Sequence, residues 1–171
     1  MPTYSDDLIK SVLRSTKVIA MVGASGNEMR PSYFAMKYLL DKGFEVIPVN
    51  PGMVGKTILR RTVYGSLKDV PAQVDMVDIF RAADAVPGIV KEALGEKNRL
   101  GVKTIWMQLG VINEEAAEMA REAGLTVIMD RCPKIEYGRM SGEISWLGVN
   151  RRTIDNRKAP LFRKGGALRR I

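Results

Sequence analysis

Apolar positions along this chain switch repeatedly between two periods. Lys17-Val18-Ile19-Ala20-Met21-Val22 is a short run closed by Gly23, and Phe44-Glu45-Val46-Ile47-Pro48-Val49 is a second, closed by Asn50-Pro51-Gly52. Met76 to Phe80, Thr104 to Leu109 and Thr126 to Met129 repeat the pattern. Runs of this length, rich in β-branched residues and bounded by turn formers, predict strands buried on both faces. Between them lie helical stripes. Ser32 to Lys42 ends at Gly43, Ala83 to Glu96 carries Val86, Ile89, Val90, Ala93 and Leu94, and Asn113 caps a helix that runs to Ala123. A leading helix, Asp6 to Arg14, has Ser5 as its cap. Strands alternating with helices predict an α/β fold, a five-stranded doubly wound parallel sheet in three layers. The expected strand order, counting these five runs, is 3-2-1-4-5.

Composition narrows the chemistry. With 171 residues, 46% of them apolar and 27% charged, the chain has the length and balance of one domain with a short appendage. The net charge of +8 is uneven: residues 151–171 carry eight bases against Asp155, a surplus of +7, and residues 1–150 carry +1. A domain over 1–150 and a basic arm over 151–171 are therefore expected. There is no histidine, which removes a phosphohistidine, a histidine base and a histidine-ligated zinc. One cysteine, Cys132, precludes an internal disulfide and suits a reducing compartment. With no secretory pattern at the start and no apolar span of membrane length, a cytoplasmic location is expected.

The richest segment follows the first strand: Gly23-Ala24-Ser25-Gly26-Asn27-Glu28-Met29-Arg30-Pro31-Ser32. Backbone N–H groups at the start of the next helix point outward, and the helix dipole favours an anion there. Gly23 permits a tight turn, Ser25 and Ser32 add hydroxyls, and Arg30 adds a charge suited to phosphate. Ser25 stands where a dinucleotide loop would place its second glycine. The second strand ends in Asn50-Pro51, without the acid that holds a ribose 2′-hydroxyl, and Lys56, Arg60 and Arg61 follow. That neighbourhood suits a ligand with an extra ribose phosphate, a description met by both NADP and coenzyme A.

Taken as an ordered series, Met21 to Ser25, Arg30 to Ser32, Pro48 to Gly52, Asp75 to Arg81, Ile105 to Gly110 and Asp130 to Lys134 resemble the small stand-alone CoA-binding proteins of bacteria and archaea. These are similar to the CoA-binding domain of the succinyl-CoA synthetase α subunit and of ADP-forming acyl-CoA synthetases. The resemblance, over residues 5–150, implies a Rossmann-like domain with coenzyme A as its ligand. It implies that Gly23, Ala24 and Ser25 cradle the phosphates beside Arg30 and Ser32, with Asn50, Pro51 and Lys56 on the adenosine side. Phe80 and Arg81 would flank the ligand, and Gln108 and Gly110 would lie near the pantetheine arm. The synthetases carry a phosphorylated histidine on a further domain. A chain without histidine is not expected to perform synthetase chemistry alone, so a non-catalytic binder of CoA or an acyl-CoA is expected. The alternatives from other classes are an NAD(P)-dependent oxidoreductase and a nucleotide-sensing regulatory protein.

Other residues have plainer roles. Asp75 and Asp78 flank or lie in a buried strand and are read as structural hydrogen-bonding groups. Trp106 and Trp146 are read as core or interface aromatics. Residues 135–149 mix apolar and small side chains suited to covering the sheet or forming a homodimer face. Cys132 reads as a small apolar group near the sheet, or as a thiol, its pKa lowered by Arg131 and Lys134, that pairs with the CoA thiol as a mixed disulfide. Apart from Phe162 the arm lacks interleaved aromatics and matches no nucleic-acid motif, so nucleic acid is not expected as a partner; without a long apolar span no membrane is expected, and with no histidine and one cysteine no metal site is expected.

Overall fold

The computed structural model describes residues 2–142, so the expected basic arm and Trp146 lie outside the described residues. The main sheet comprises β1 (Val18–Val22), β2 (Glu45–Val49), β5 (Met76–Ile79), β6 (Thr104–Met107) and β7 (Thr126–Ile128), all parallel. Between β2 and β5, Thr57–Ile58 (β3) and Arg61–Thr62 (β4) form a small antiparallel hairpin. The helices are α1 (Asp6–Ser15), α2 (Pro31–Asp41), α3 (Val86–Gly95), α4 (Lys97–Leu100), α5 (Glu114–Glu122) and α6 (Pro133–Met140). Their starts follow the expected chemistry: the Leu8 N–H donates to Ser5 Oγ (3.2 Å), and the Ala116 N–H to Asn113 Oδ1 (2.9 Å).

The sheet order is β2-β1-β5-β6-β7, which corrects the expected order. Counted as the five parallel strands it reads 2-1-3-4-5: the second strand is an edge, not an interior strand. The reason lies in Pro48. A proline has no N–H to donate to a ladder and belongs on an edge. The Pro48 carbonyl accepts from the Tyr64 N–H (3.0 Å), and the Asn50 N–H donates to the Tyr64 carbonyl (2.8 Å). The chain after the hairpin thus closes this edge with a single parallel bridge, Val49 to Tyr64, before crossing back to β5.

Both faces of the sheet are covered. Ala20, Val22, Val77, Ile79, Ile105 and Met107 face Val86, Val90 and Ala93 of α3 and the alanines of α5. Ile19, Met21, Met76, Trp106 and Ile128 face Ile9, Val12 and Leu13 of α1, Ala35, Met36 and Leu39 of α2, and Tyr137 of α6. Trp106 is a core aromatic as expected, its indole N–H donating to the Arg131 carbonyl (2.8 Å). Asp75 is structural: its Oδ2 accepts from the Lys17 and Val18 N–H groups (2.9 and 3.1 Å), and Lys103 Nζ lies 3.0 Å from Oδ1. Burial alone would raise this carboxyl, but those donors hold it below its ordinary value.

Candidate functional site

Because β1 has β2 on one side and β5 on the other, the connections from its neighbours leave in opposite directions, and a crevice opens beyond the strand ends. Gly23 begins it. Its φ is +88°, and a Cβ there would lie 2.4 Å from the Phe80 carbonyl oxygen and 2.9 Å from Arg81 Cδ. Only glycine lets the loop after β1 lie against the loop after β5. Beyond it the loop holds itself: the Asn27 N–H donates to Ser25 Oγ (3.1 Å), and the Met29 N–H to Asn27 Oδ1 (2.9 Å).

Asn50, at the end of β2, ties the neighbouring loop to this one. Its Nδ2 donates to the Ala24 carbonyl (2.8 Å), and its Oδ1 accepts from the Gly52 N–H (2.8 Å). Asn50 lines the crevice, but both ends of its carboxamide are already engaged, so it shapes the site.

The crevice has a volume of about 890 Å³. It gathers Gly23, Ser25, Arg30, Ser32, Asn50, Phe80, Arg81 and Gln108 from the expected set. Ala24, Pro51, Lys56 and Gly110 do not line it. Ala24 is fully buried, and its carbonyl is taken by Asn50. Pro51 lines an adjoining hollow of about 200 Å³, which shares Gly23 and Arg81 with the main crevice. Lys56 is exposed just before the β3–β4 hairpin. Gly110 turns the chain with φ +75°, its N–H donating to Asp130 Oδ1 (2.8 Å).

Two helices begin at this crevice, α2 with Pro31 and α6 with Pro133, and neither has a side-chain cap. Arg30, Arg81 and Lys134 line it, and among the described residues no carboxylate does. Helix starts, guanidinium groups and an ammonium make the floor and walls electropositive.

Sequence reasoning placed Asp130 to Lys134 in the family series and weighed Cys132 as a thiol, but missed helix α6 and its lining residues Lys134 and Ile135. Lys134 and Ile135 come from that helix, and Cys132 from its cap position. The Cys132-Pro133 pair, a cap position followed by a first-turn proline, was the available signal for a helix start. Met29, Phe34, Leu109 and Val111 were missed as well. An apolar Leu109 just before Gly110, two residues past the end of β6, was the signal there.

Beneath the crevice Asp78 is fully buried, and Gln108 Nε2 donates to both of its oxygens (3.0 and 3.3 Å). Burial pushes the Asp78 carboxyl up to about 7, with Gln108 pulling the other way. Cys132 is buried beside this pair. Burial pushes its thiol up, and the Ile135 and Lys134 N–H groups and Gln108 only partly oppose this, while Asp78 reinforces it. The activation expected from Arg131 and Lys134 is absent from these causes: Arg131 lies over the Tyr4 ring (5.7 Å) and Lys134 over the Tyr38 ring (5.7 Å). Cys132 therefore behaves as a protonated, largely apolar group.

Comparison with known proteins places this geometry in a family. The family described as CoA binding domain matches residues 17–138. An uncharacterized Bacillus subtilis (strain 168) protein, YneT, is 38% identical over 129 residues, which cover 75% of this chain and 91% of that protein. The α subunit of the Pyrococcus furiosus ADP-forming acetate–CoA ligase I is 31% identical over 127 residues, 68% of this chain but only 27% of the subunit. A solved structure of a hypothetical protein from Pyrococcus horikoshii OT3 superposes with a TM-score of 0.73 at 36% identity, over 80% of this chain and 92% of that one. By a match that spans β1 to α6 and holds every strand and loop of the crevice, this chain belongs to the CoA-binding domain family.

Proposed function

We propose that the chain binds coenzyme A or an acyl-CoA in the crevice beyond β1, β5 and β6, as a binding protein without synthetase chemistry of its own. The observation that carries this is the lining: Arg30, Arg81 and Lys134 converge with two helix starts and, among the described residues, no opposing carboxylate. That is the chemistry of a polyanionic ligand. The nucleotide end lies between the loops after β1 and β2, and the pantetheine arm runs past Phe80 toward Gln108. Membership of the family supports the ligand class, and the edge position of Asn50, where a dinucleotide site would hold an acid, supports coenzyme A over NAD. The acetate–CoA ligase subunit extends far beyond the part this chain matches, so its ligation is not carried over.

Titration calorimetry with CoA, dephospho-CoA and NADPH tests this directly. Saturable CoA binding is expected, weaker without the 3′-phosphate. Arg30→Ala is expected to weaken it by about ten-fold or more, the scale of one lost charge-assisted hydrogen bond. NADPH binding without CoA binding would overturn the proposal in favour of an oxidoreductase.

A further inference from the structure

We infer that the crevice is built for an acyl-CoA bearing an apolar acyl group, in preference to free CoA. This deepens the proposed function and rests on it. Four large apolar side chains that line the crevice remain open to solvent: Met29 at 81%, Phe34 at 52%, Leu109 at 55% and Ile135 at 43% of their full exposure. Exposed apolar residues scattered singly need no explanation, but a group around one concavity marks a binding surface. They come from four separate places: the loop before α2, the first turn of α2, the loop after β6 and the first turn of α6.

The occupant follows from the rest of the lining. The same crevice carries Arg30, Arg81 and Lys134 and, among the described residues, no acid, so its complement is both anionic and apolar. A second copy of this chain does not meet that description, because a two-fold pairing of the crevice with itself would set like charges against each other. An acyl-CoA does. Its phosphates belong with Ser25, Arg30 and Arg81, and its arm passes Gln108 to the side where Leu109 and Ile135 stand. A free thiol would leave those side chains wet, whereas an alkyl chain covers them.

The test compares CoA, acetyl-CoA and octanoyl-CoA by calorimetry on the full chain, with Phe34→Asn and Leu109→Asn variants. Both substitutions replace exposed side chains, and circular dichroism melts would verify that the variants fold. Octanoyl-CoA is expected to bind about ten-fold tighter than acetyl-CoA, the effect of burying roughly two methylenes. In either variant that ratio should fall toward one. Equal affinities of the unmodified chain for CoA and octanoyl-CoA would overturn the inference and leave the CoA site standing. Absence of binding by every CoA species would overturn the CoA site and the inference together. A chain-length preference that survives both substitutions would remove the acyl group from this wall.

Discussion

At the scale of single residues, this site depends on groups whose chemistry is set by what surrounds them. Gly23 owes its place to the Phe80 carbonyl, which leaves no room for a Cβ. Asp78 owes its raised pKa to burial, which its hydrogen bond from Gln108 only partly opposes. In the unfolded chain that carboxyl ionises near its ordinary value of 3.8, whereas in the fold it keeps its proton to about 7. Between those values the folded state binds more protons, so the stabilisation present below about 4 is lost as pH rises toward 7. Asp78→Asn removes the titration but keeps an acceptor for Gln108. Urea unfolding at pH 4 and pH 8 is expected to show the unsubstituted chain weakening across that interval, and the variant holding on the order of a few kcal/mol more of its stability. Equal slopes for the two would mean that Asp78 is ionised in the fold.

Among the elements, α6 matters most for the site and was least visible beforehand. Its eight residues, Pro133–Met140, show weak amphipathic periodicity because Glu136, Tyr137 and Gly138 are all buried in one stretch. What holds it is contact with other elements. Tyr137 meets Tyr38 and Phe44 edge to face at centroid distances of 6.1 and 5.6 Å. Arg139 Nη2 bridges Asp6 Oδ1 (2.9 Å) on α1 and the buried Glu136 Oε2 (2.7 Å). Arg139→Ala is expected to cost on the order of 1–2 kcal/mol by leaving Glu136 poorly paired. It should also weaken CoA binding, because α6 carries Lys134 and Ile135 into the crevice. Chemical denaturation and calorimetry on the same variant check both; a stability loss with unchanged affinity would detach α6 from the site.

For the molecule as a whole, residues 2–142, the described ones, already build two apolar clusters on the two faces of the sheet and a lined crevice at its strand ends. The basic surplus of +7 falls within residues 151–171, outside the described residues. If residues 1–150 form the domain and 151–171 a separate basic arm, as the charge distribution predicts, a chain ending at residue 150 is expected to unfold cooperatively, with stability within about 0.5 kcal/mol of the full chain and the same CoA affinity. A large loss of either would give residues 151–171 a part in the domain or in the site. Among the described residues no helix is long and apolar enough to cross a membrane.

Local periodicity determined the fold class, the five parallel strands and four of the helices, because each depends on neighbours within one turn or one pleat. The Gly23–Ser32 loop was legible for the same reason: a glycine, hydroxyls and an arginine between a strand and a helix have local consequences. Strand order depended on which edge accepts the next strand, a choice among distant segments, although Pro48 already marked β2 as an edge. Only the tertiary structure showed which expected residues face the crevice and which brace it: Ala24 is buried behind it, and Asn50, though it lines the crevice, has both ends of its carboxamide engaged. It alone brought the α6 start and the apolar wall of Met29, Phe34, Leu109 and Ile135 to the loop after β1. These residues lie up to about a hundred positions apart, and no period within the chain encodes their meeting.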